Sequence, residues 1–249
     1  MRTLLLVLLT SFSFPAYAQS SLGITGAAFS LGVIEDESGK ARGDASGSVS
    51  VAITEYHGFQ GDLRFSDTAS GTIGTIATHL YMTPIPGQKY GLFAALSDVD
   101  GRSMLYGSIG AEAMLSLGES TAIEARGGLG LADQDGLDYI FGGLSVAQSL
   151  TPAIELEVSL DVADFDETSF SATSYDAGLT ANFSPEGSPW GAYASITHSG
   201  LIGANSASGE TRLGLGLTLT LGTSGGTDPH TRPFRTPDPV APLVRRGLW

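Results

Sequence analysis

Apolar and polar residues alternate with a period of two through most of residues 22–222. In the segment 154–162, Ile, Leu and Val occupy one side, while Glu155, Glu157 and Asp161 fall on the other. Segments 59–66, 123–131 and 211–221 repeat the pattern. Strict alternation with apolar residues on one side only is typical of strands that bury one face. The chain is therefore predicted to be all-β.

Extended along the chain, this pattern predicts twelve strands. They cover roughly 22–34, 46–56, 59–66, 71–82, 89–97, 103–117, 120–131, 138–149, 152–163, 169–183, 189–198 and 210–222. About 9–11 residues are needed for a tilted strand to cross a bilayer, and most of the predicted strands are long enough. An even strand number is expected for a single-chain bacterial barrel. The pattern favours an antiparallel up-and-down transmembrane β-barrel of about twelve strands.

The connections between these strands form two chemically different sets that alternate along the chain. Aspartate is confined to connections after odd-numbered strands, at 35–40, 66–68, 98–101, 133–136, 164–167 and 204–206. Proline is confined to those after even-numbered strands, at 57–58, 83–87, 117–119, 150–152 and 184–187. The two ends of the sheet are thus predicted to face different compartments. With the amino terminus in the periplasm, the aspartate-rich end faces outward.

The first eighteen residues have the features of a secretory signal peptide. Arg2 precedes an almost wholly apolar run, Leu4 to Leu9, and Ala16-Tyr17-Ala18 offers small residues for cleavage before Gln19. The apolar run is too short for a membrane-spanning helix, which needs about 20 residues. The predicted organisation is a signal peptide at 1–18, a barrel at 19–222 and a tail at 223–249.

The C-terminal tail differs in composition from the rest of the chain. It contains Pro233, Pro237, Pro239 and Pro242 and ends in the segment 245–249, Arg-Arg-Gly-Leu-Trp. A proline-rich segment without apolar periodicity should be extended or disordered. The tail is therefore predicted to be a disordered periplasmic segment. Its basic end is either a periplasmic contact or a frayed terminus.

Composition and charge exclude several classes of protein. The formal net charge is −14, which disfavours nucleic acid as a partner because the chain would repel phosphates. The chain contains no cysteine, so thiol chemistry and disulfides are excluded. Charged residues make up only 15% of the chain, and its 34 glycines argue against a helical membrane protein. If the protein spans a membrane, it must do so as a closed barrel.

The chain resembles the outer-membrane β-barrel superfamily of Gram-negative bacteria, and loosely its porin-type members. One local match is the assembly signal of the last strand, Arg212-x-Gly214-x-x-Leu217-x-Leu219. The resemblance implies contact with outer-membrane lipid and lipopolysaccharide, and with the barrel-assembly machinery through that strand. The chain departs from the family by continuing for 27 residues beyond Gly222. It is also shorter than the general porins.

Charged residues on the polar side of the strands are predicted to line the lumen. They are Asp62, Arg64, Glu112, Glu124, Arg126, Glu155, Glu157, Asp161, Asp176 and Arg212. In an open pore this excess of acids would favour cations, whereas in a small closed barrel the same residues would form a structural network. Eight strands enclose an interior filled by side chains and sixteen leave a channel. A barrel of twelve strands lies between these two cases, so the strand number allows either an open lumen or a narrow, partly blocked one.

Neither a metal site nor a catalytic site is predicted. Pairs of aspartates, such as Asp98 and Asp100, recur in three successive odd connections, but Asp-Gly is ordinary turn chemistry. His198 and Ser199 are neighbours in a strand and face opposite sides, so they are badly placed to share a proton. The chain is predicted to be no enzyme and to need no cofactor.

The leading functional hypothesis is an outer-membrane, porin-like channel for passive diffusion of small hydrophilic solutes. The alternative is a non-conducting structural or adhesive surface barrel. A lipid-modifying barrel enzyme is less favoured. The sequence indicates neither the solute nor the oligomeric state.

Overall fold

The computed structural model describes residues 23–101, 104–133, 137–166 and 170–247. Twelve strands make up most of them: β1 (Ile24–Glu35), β2 (Ala41–Ala52), β3 (His57–Thr68), β4 (Gly71–Met82), β5 (Gln88–Val99), β6 (Met104–Ser116), β7 (Thr121–Ala132), β8 (Asp138–Thr151), β9 (Ile154–Asp166), β10 (Ser171–Phe183), β11 (Trp190–Ile202) and β12 (Ala207–Gly222). A short helix, α1 (Ala241–Arg246), follows in the tail. Within these ranges no helix has the length and hydropathy needed to cross a membrane. The predicted signal peptide lies outside the described residues.

The strands form one closed antiparallel barrel. Each strand pairs with its neighbour in sequence, and β1 closes the barrel by pairing with β12. In that closing ladder Phe29 lies opposite Leu219, and Leu31 lies opposite Leu217. Closure leaves no free sheet edge, which is the condition for a sheet to survive in lipid. The predicted all-β, twelve-stranded, up-and-down barrel is confirmed.

Alternation along each strand divides the side chains between the outside and the inside of the barrel. On β12, Leu215 and Leu217 are 62% and 61% exposed, whereas Arg212 is 8% exposed. A soluble protein would bury such leucines, since exposing them to water is unfavourable. An apolar exterior around a polar interior is instead the arrangement of a membrane barrel.

Tyrosines that point into the barrel lie against glycines of the adjacent strand. Tyr81 is paired with Gly58, and Tyr139 with Gly130. A Cβ atom on either glycine would overlap the tyrosine ring. Glycine therefore leaves the space that each ring occupies, which explains some of the many glycines in these strands.

The second strand lies earlier in the chain than predicted. The second strand was predicted at residues 46–56, where the alternation of apolar residues is clearest, but β2 covers Ala41–Ala52. Pairing of Ala41 with Glu35 fixes this register, and Asp44 then points inward to Arg64. The following turn is formed by residues 53–56, not by the predicted 57–58, since His57 begins β3.

Local hydrogen bonds order the connection between β1 and β2. Asp36 accepts a hydrogen bond from the backbone N–H of Ser38 at 2.9 Å and one from Arg42 Nε at 3.0 Å. The Ser38 hydroxyl, together with Arg42, lowers the pKa of Asp36 to about 2. Asp36 therefore acts as a turn-forming carboxylate, as expected for aspartate in this position.

Candidate functional site: a lumen occupied by the C-terminal tail

The ten charged residues predicted to line the lumen lie on the inner side of the barrel, where they contact one another, the tail or residual cavities. They are Asp62 and Arg64 on β3, Glu112 on β6, Glu124 and Arg126 on β7, Glu155, Glu157 and Asp161 on β9, Asp176 on β10 and Arg212 on β12. These seven acids and three arginines lie close together in the low-dielectric interior of the barrel. Their charges therefore need partners.

The C-terminal tail runs through the barrel from one end to the other. Near its start, the Thr227 hydroxyl donates to the Glu119 carbonyl in the turn between β6 and β7. Near its end, Arg246 Nη2 donates to the carbonyl of Ser199 at 2.7 Å, close to the opposite end of the barrel where β11 finishes. The described part of the tail therefore spans the length of the lumen.

This position corrects the prediction of a disordered tail. Phe234, Val240, Leu243 and Val244 are all at most 2% exposed. Prolines prevent the tail from forming regular hydrogen-bonded structure of its own. Its backbone groups are instead bonded by side chains of the wall, as where Arg126 Nη1 donates to the Arg235 carbonyl at 2.7 Å. The proline-rich composition that predicted disorder is therefore compatible with a segment that is ordered by contacts with the barrel wall.

Arginines in the first half of the tail pair with acids of β9. Arg232 Nη1 lies 3.0 and 2.9 Å from the two carboxylate oxygens of Glu155, and Arg232 Nη2 contacts Glu157. Arg235 Nη2 donates to Asp161 at 2.6 Å. The three acids are separated by even numbers of residues, so they share one face of the strand. The tail places a guanidinium group beside each of them.

Phe234 anchors the tail between these two arginines. Its backbone N–H donates to Gln60 Oε1 at 2.9 Å, and Gln60 Nε2 donates to its carbonyl at 2.8 Å. Its ring stacks on His79 with centroids 5.9 Å apart and meets Tyr81 edge-on at 6.3 Å. The ammonium group of Lys89 lies 4.4 Å from the ring centroid. Phe234 is thus held by its backbone and by the contacts of its ring with His79, Tyr81 and Lys89.

A buried histidine links two of the wall acids beneath this anchor. His79 is fully buried, with Nε2 3.0 Å from Asp62 and Nδ1 2.7 Å from Glu112. A carboxylate can only accept hydrogen bonds, so both contacts form when both ring nitrogens carry a proton. Thr236 of the tail also donates to Asp62, at 3.0 Å. The histidine therefore joins the wall network to the tail.

The second half of the tail packs into an apolar region at the far end of the barrel. Val240, Leu243 and Val244 belong to a buried cluster with wall residues that include Tyr139 and Phe165. This burial removes apolar side chains from contact with water and stabilises the tail inside the barrel. The apolar end of the lumen is thus filled.

Hydrogen bonds around this cluster fix the helix. The Tyr106 hydroxyl donates to Asp238 at 2.9 Å, and Arg245 Nη2 donates to Asp176 at 2.9 Å. Asp176 also accepts from Arg212 at 3.1 Å. Hydrogen bonds therefore connect the wall to the segment just before α1 and to the last turn of α1.

Space remains on the side of the lumen that the tail does not fill. Two cavities of about 390 and 540 Å³ lie there. They share lining residues, among them Ser30, Ser46, Arg64 and Thr218, so they adjoin along the wall. Hydroxyl groups of β1, β2 and β12 supply much of this surface. The lumen is neither open across its full width nor completely filled.

Several residues of the site were not identified from the sequence. Gln60, His79 and Lys89 are isolated polar residues in strands, and no spacing indicates a partner. The tail offered a signal, because four of the twelve Lys and Arg residues lie within 223–249 while the predicted lumen is acidic. Complementary charge between these two regions could have indicated contact.

The candidate metal and catalytic groups are not assembled. Among the residues that the structure describes, no group of three or more His, Asp or Glu side chains could hold a metal ion. His198 is exposed and its Nδ1 lies 3.0 Å from the Thr211 hydroxyl, whereas Ser199 is fully buried. The two side chains therefore lie on opposite faces of β11 and do not form a nucleophile and base.

The fold is similar to that of solved outer-membrane channels. No protein-family model and no curated protein sequence matches the chain. The NanC porin matches with a TM-score of 0.58 and 6% identity over 77% of this chain and 98% of its own. An outer-membrane channel from Pseudomonas putida F1 matches with a TM-score of 0.53 and 13% identity, over 83% of this chain and 98% of its own. The KdgM porin matches with a TM-score of 0.51 and 6% identity, over 77% of this chain and 98% of its own. At these identities the likeness shows that the chain shares the barrel fold of those porins and channels.

Proposed function

We propose that this protein is an outer-membrane, porin-like channel that passes small hydrophilic solutes through a narrow passage beside its own C-terminal tail. The observation that carries the proposal is the pair of adjoining cavities lined by hydroxyl and charged groups inside a closed barrel. Such a lining favours water and small polar molecules. The tail limits their size.

The proposed location follows from the chemistry of the barrel exterior. Exposed leucines, isoleucines and valines around a closed barrel are expected to contact outer-membrane lipid and lipopolysaccharide. Export would depend on the signal peptide at 1–18, and assembly on recognition of β12 by the barrel-assembly machinery. We also propose that the protein has no catalytic role, since His198 and Ser199 do not form a relay.

A second candidate function has an observation in its favour. The tail fills the apolar end of the lumen and pairs with acids along β9. A barrel blocked in this way could be a non-conducting structural or adhesive surface protein. This candidate predicts no ion flow unless the tail is displaced.

Planar-bilayer recording of the purified, refolded mature chain separates the two candidates. The channel proposal predicts discrete current steps of small size from the wild-type protein. It also predicts larger steps from the full-length double variant R232E/R235E, here called the tail-release variant, because reversed charges repel the tail from β9. The control is K40E, which reverses the charge of an exposed lysine in the first connection and should behave as the wild type. Absence of discrete steps from the wild type would overturn the channel proposal.

A further inference from the structure

The acids of β9 are occupied mainly by groups that belong to the tail, although Asp161 also pairs with Arg126 of the wall. Arg232 pairs with Glu155 and Glu157, and Arg235 pairs with Asp161. Alternate residues of a strand are about 6.6–6.8 Å apart. Glu155 and Glu157 have this spacing, and Asp161 lies twice as far along the same face, so the row can bind two guanidinium groups in succession. In this structure the tail provides them.

Strand β7 adds an acceptor oxygen that the tail leaves unused. Glu124 is 3% exposed, and its Oε1 accepts a hydrogen bond from the backbone N–H of Arg235 at 3.3 Å. Its Oε2 is buried and has no hydrogen-bond partner within the described part of the chain. A buried carboxylate oxygen without a partner costs free energy. The tail is therefore an incomplete occupant, and another cation with more donors could satisfy the site better.

The balance of charge supports the same conclusion. The predicted wall set contains seven acids and three arginines, and the described tail contributes four arginines against two aspartates. With the tail in place most of the acids have basic partners. When it leaves, the acids of β9 and Glu124 would face the lumen with Arg126 as the basic group nearest to them.

We propose that Glu124, Glu155, Glu157 and Asp161 form a binding site for organic cations that carry guanidinium or amine groups, and that the tail fills this site as a displaceable internal occupant. Charge-assisted hydrogen bonds between guanidinium and carboxylate groups supply the recognition. The proposal rests on the channel function, and it names the class of solute and the competitor that restrains it.

Calorimetric titration with L-arginine amide tests the site in detergent-solubilised full-length protein. The tail-release variant should bind L-arginine amide at least about tenfold more tightly than the wild type, because its site is free of the competing tail. L-citrulline amide, which has a neutral urea group in place of the guanidinium, should bind more weakly. Adding E157Q and D161N to the tail-release variant should abolish binding. Equal heats for the tail-release variant with and without these two substitutions would overturn the proposal.

A second measurement does not depend on the tail-release variant being folded. In otherwise wild-type protein, a cysteine placed by V244C is buried in the tail, and no other cysteine is present to react. L-arginine amide should speed its labelling by a membrane-impermeant thiol reagent, whereas L-citrulline amide should not. An unchanged labelling rate would contradict displacement of the tail by cations.

These measurements fail independently of the channel proposal. Binding without current steps in the bilayer would retain the cation site and reject the channel. Current steps without binding or accelerated labelling would retain the channel and reject the cation site.

Discussion

Arg232 and Glu155 form an ion pair inside the barrel although they are 77 positions apart in the chain. The guanidinium nitrogen lies 2.9 Å from the nearer carboxylate oxygen, and both side chains are at most 15% exposed. An ion pair with this little exposure is costly to break, because the remaining charge stays desolvated. The contact therefore links the tail to β9 and should contribute measurably to tail docking.

A charge exchange between these two residues tests that contribution. R232E and E155R should each reduce the free energy of tail docking by about 3 kcal/mol, which is the lower end of the cost of breaking a buried ion pair. The double variant should recover much of the loss because the opposite charges face each other again. Trypsin cleavage after Arg235 measures docking, since the protease reaches this bond only when the tail leaves the lumen. Additive losses in the double variant would show that the two residues do not interact.

Phe234 should be the strongest apolar contribution to docking of the first half of the tail. F234A removes a buried ring from contact with His79 and Tyr81, and such truncations cost about 3 kcal/mol. Tail cleavage by trypsin should then be about 100-fold faster. The barrel itself should remain folded, as judged by its circular dichroism. H230A, at an exposed position near the start of the tail and away from the ring contacts, is the control and should leave the cleavage rate nearly unchanged.

His79 should stabilise the barrel wall by bridging two buried carboxylates. H79L leaves Asp62 and Glu112 without this partner and should lower the free energy of unfolding by about 3 kcal/mol. Denaturant unfolding in detergent measures the change. H57L is the matched control, because His57 is exposed at the start of β3. Equal stability of the two variants would mean that the histidine bridge contributes nothing.

The contact between Tyr81 and Gly58 predicts a size limit at position 58. G58A places a methyl group where the tyrosine ring lies, and overpacking of this kind costs about 2 kcal/mol. G43A is the control, since a Cβ atom there would have no heavy atom within 4 Å. Denaturant unfolding should therefore separate the two variants. A G58A protein as stable as the wild type would refute the assignment of Gly58 as a space-forming residue.

The barrel could be predicted from the sequence because its cause is local. A period-two pattern along 154–162 or 211–221 reports which side of a strand faces lipid, and antiparallel neighbours in sequence pair directly. The position of β2 was predicted wrongly because the outward face of its first half carries only small residues. The inward face carries Arg42, Asp44 and Ser46, so the apolar pattern is weak there. Pairing with β1 decides its position.

The position of the tail could not be predicted because its cause is not local. Its prolines remove periodicity, and its contacts join residues such as Gln60 and Phe234 that are 174 positions apart. No pattern within the tail specifies these partners. Only the opposite charges of the tail and the lumen were visible in the sequence, and charge alone does not give a register.

Cysteine labelling tests most directly whether the tail occupies the lumen. The chain lacks cysteine, so single V244C and H230C variants each carry one reactive thiol. Val244 is 1% exposed within the barrel, whereas His230 is exposed near the start of the tail. With a membrane-impermeant thiol reagent, H230C should be labelled rapidly, and V244C should stay unlabelled in the folded protein as long as no cation that displaces the tail is added. Equally rapid labelling of both in the folded protein would show that the tail lies outside the barrel.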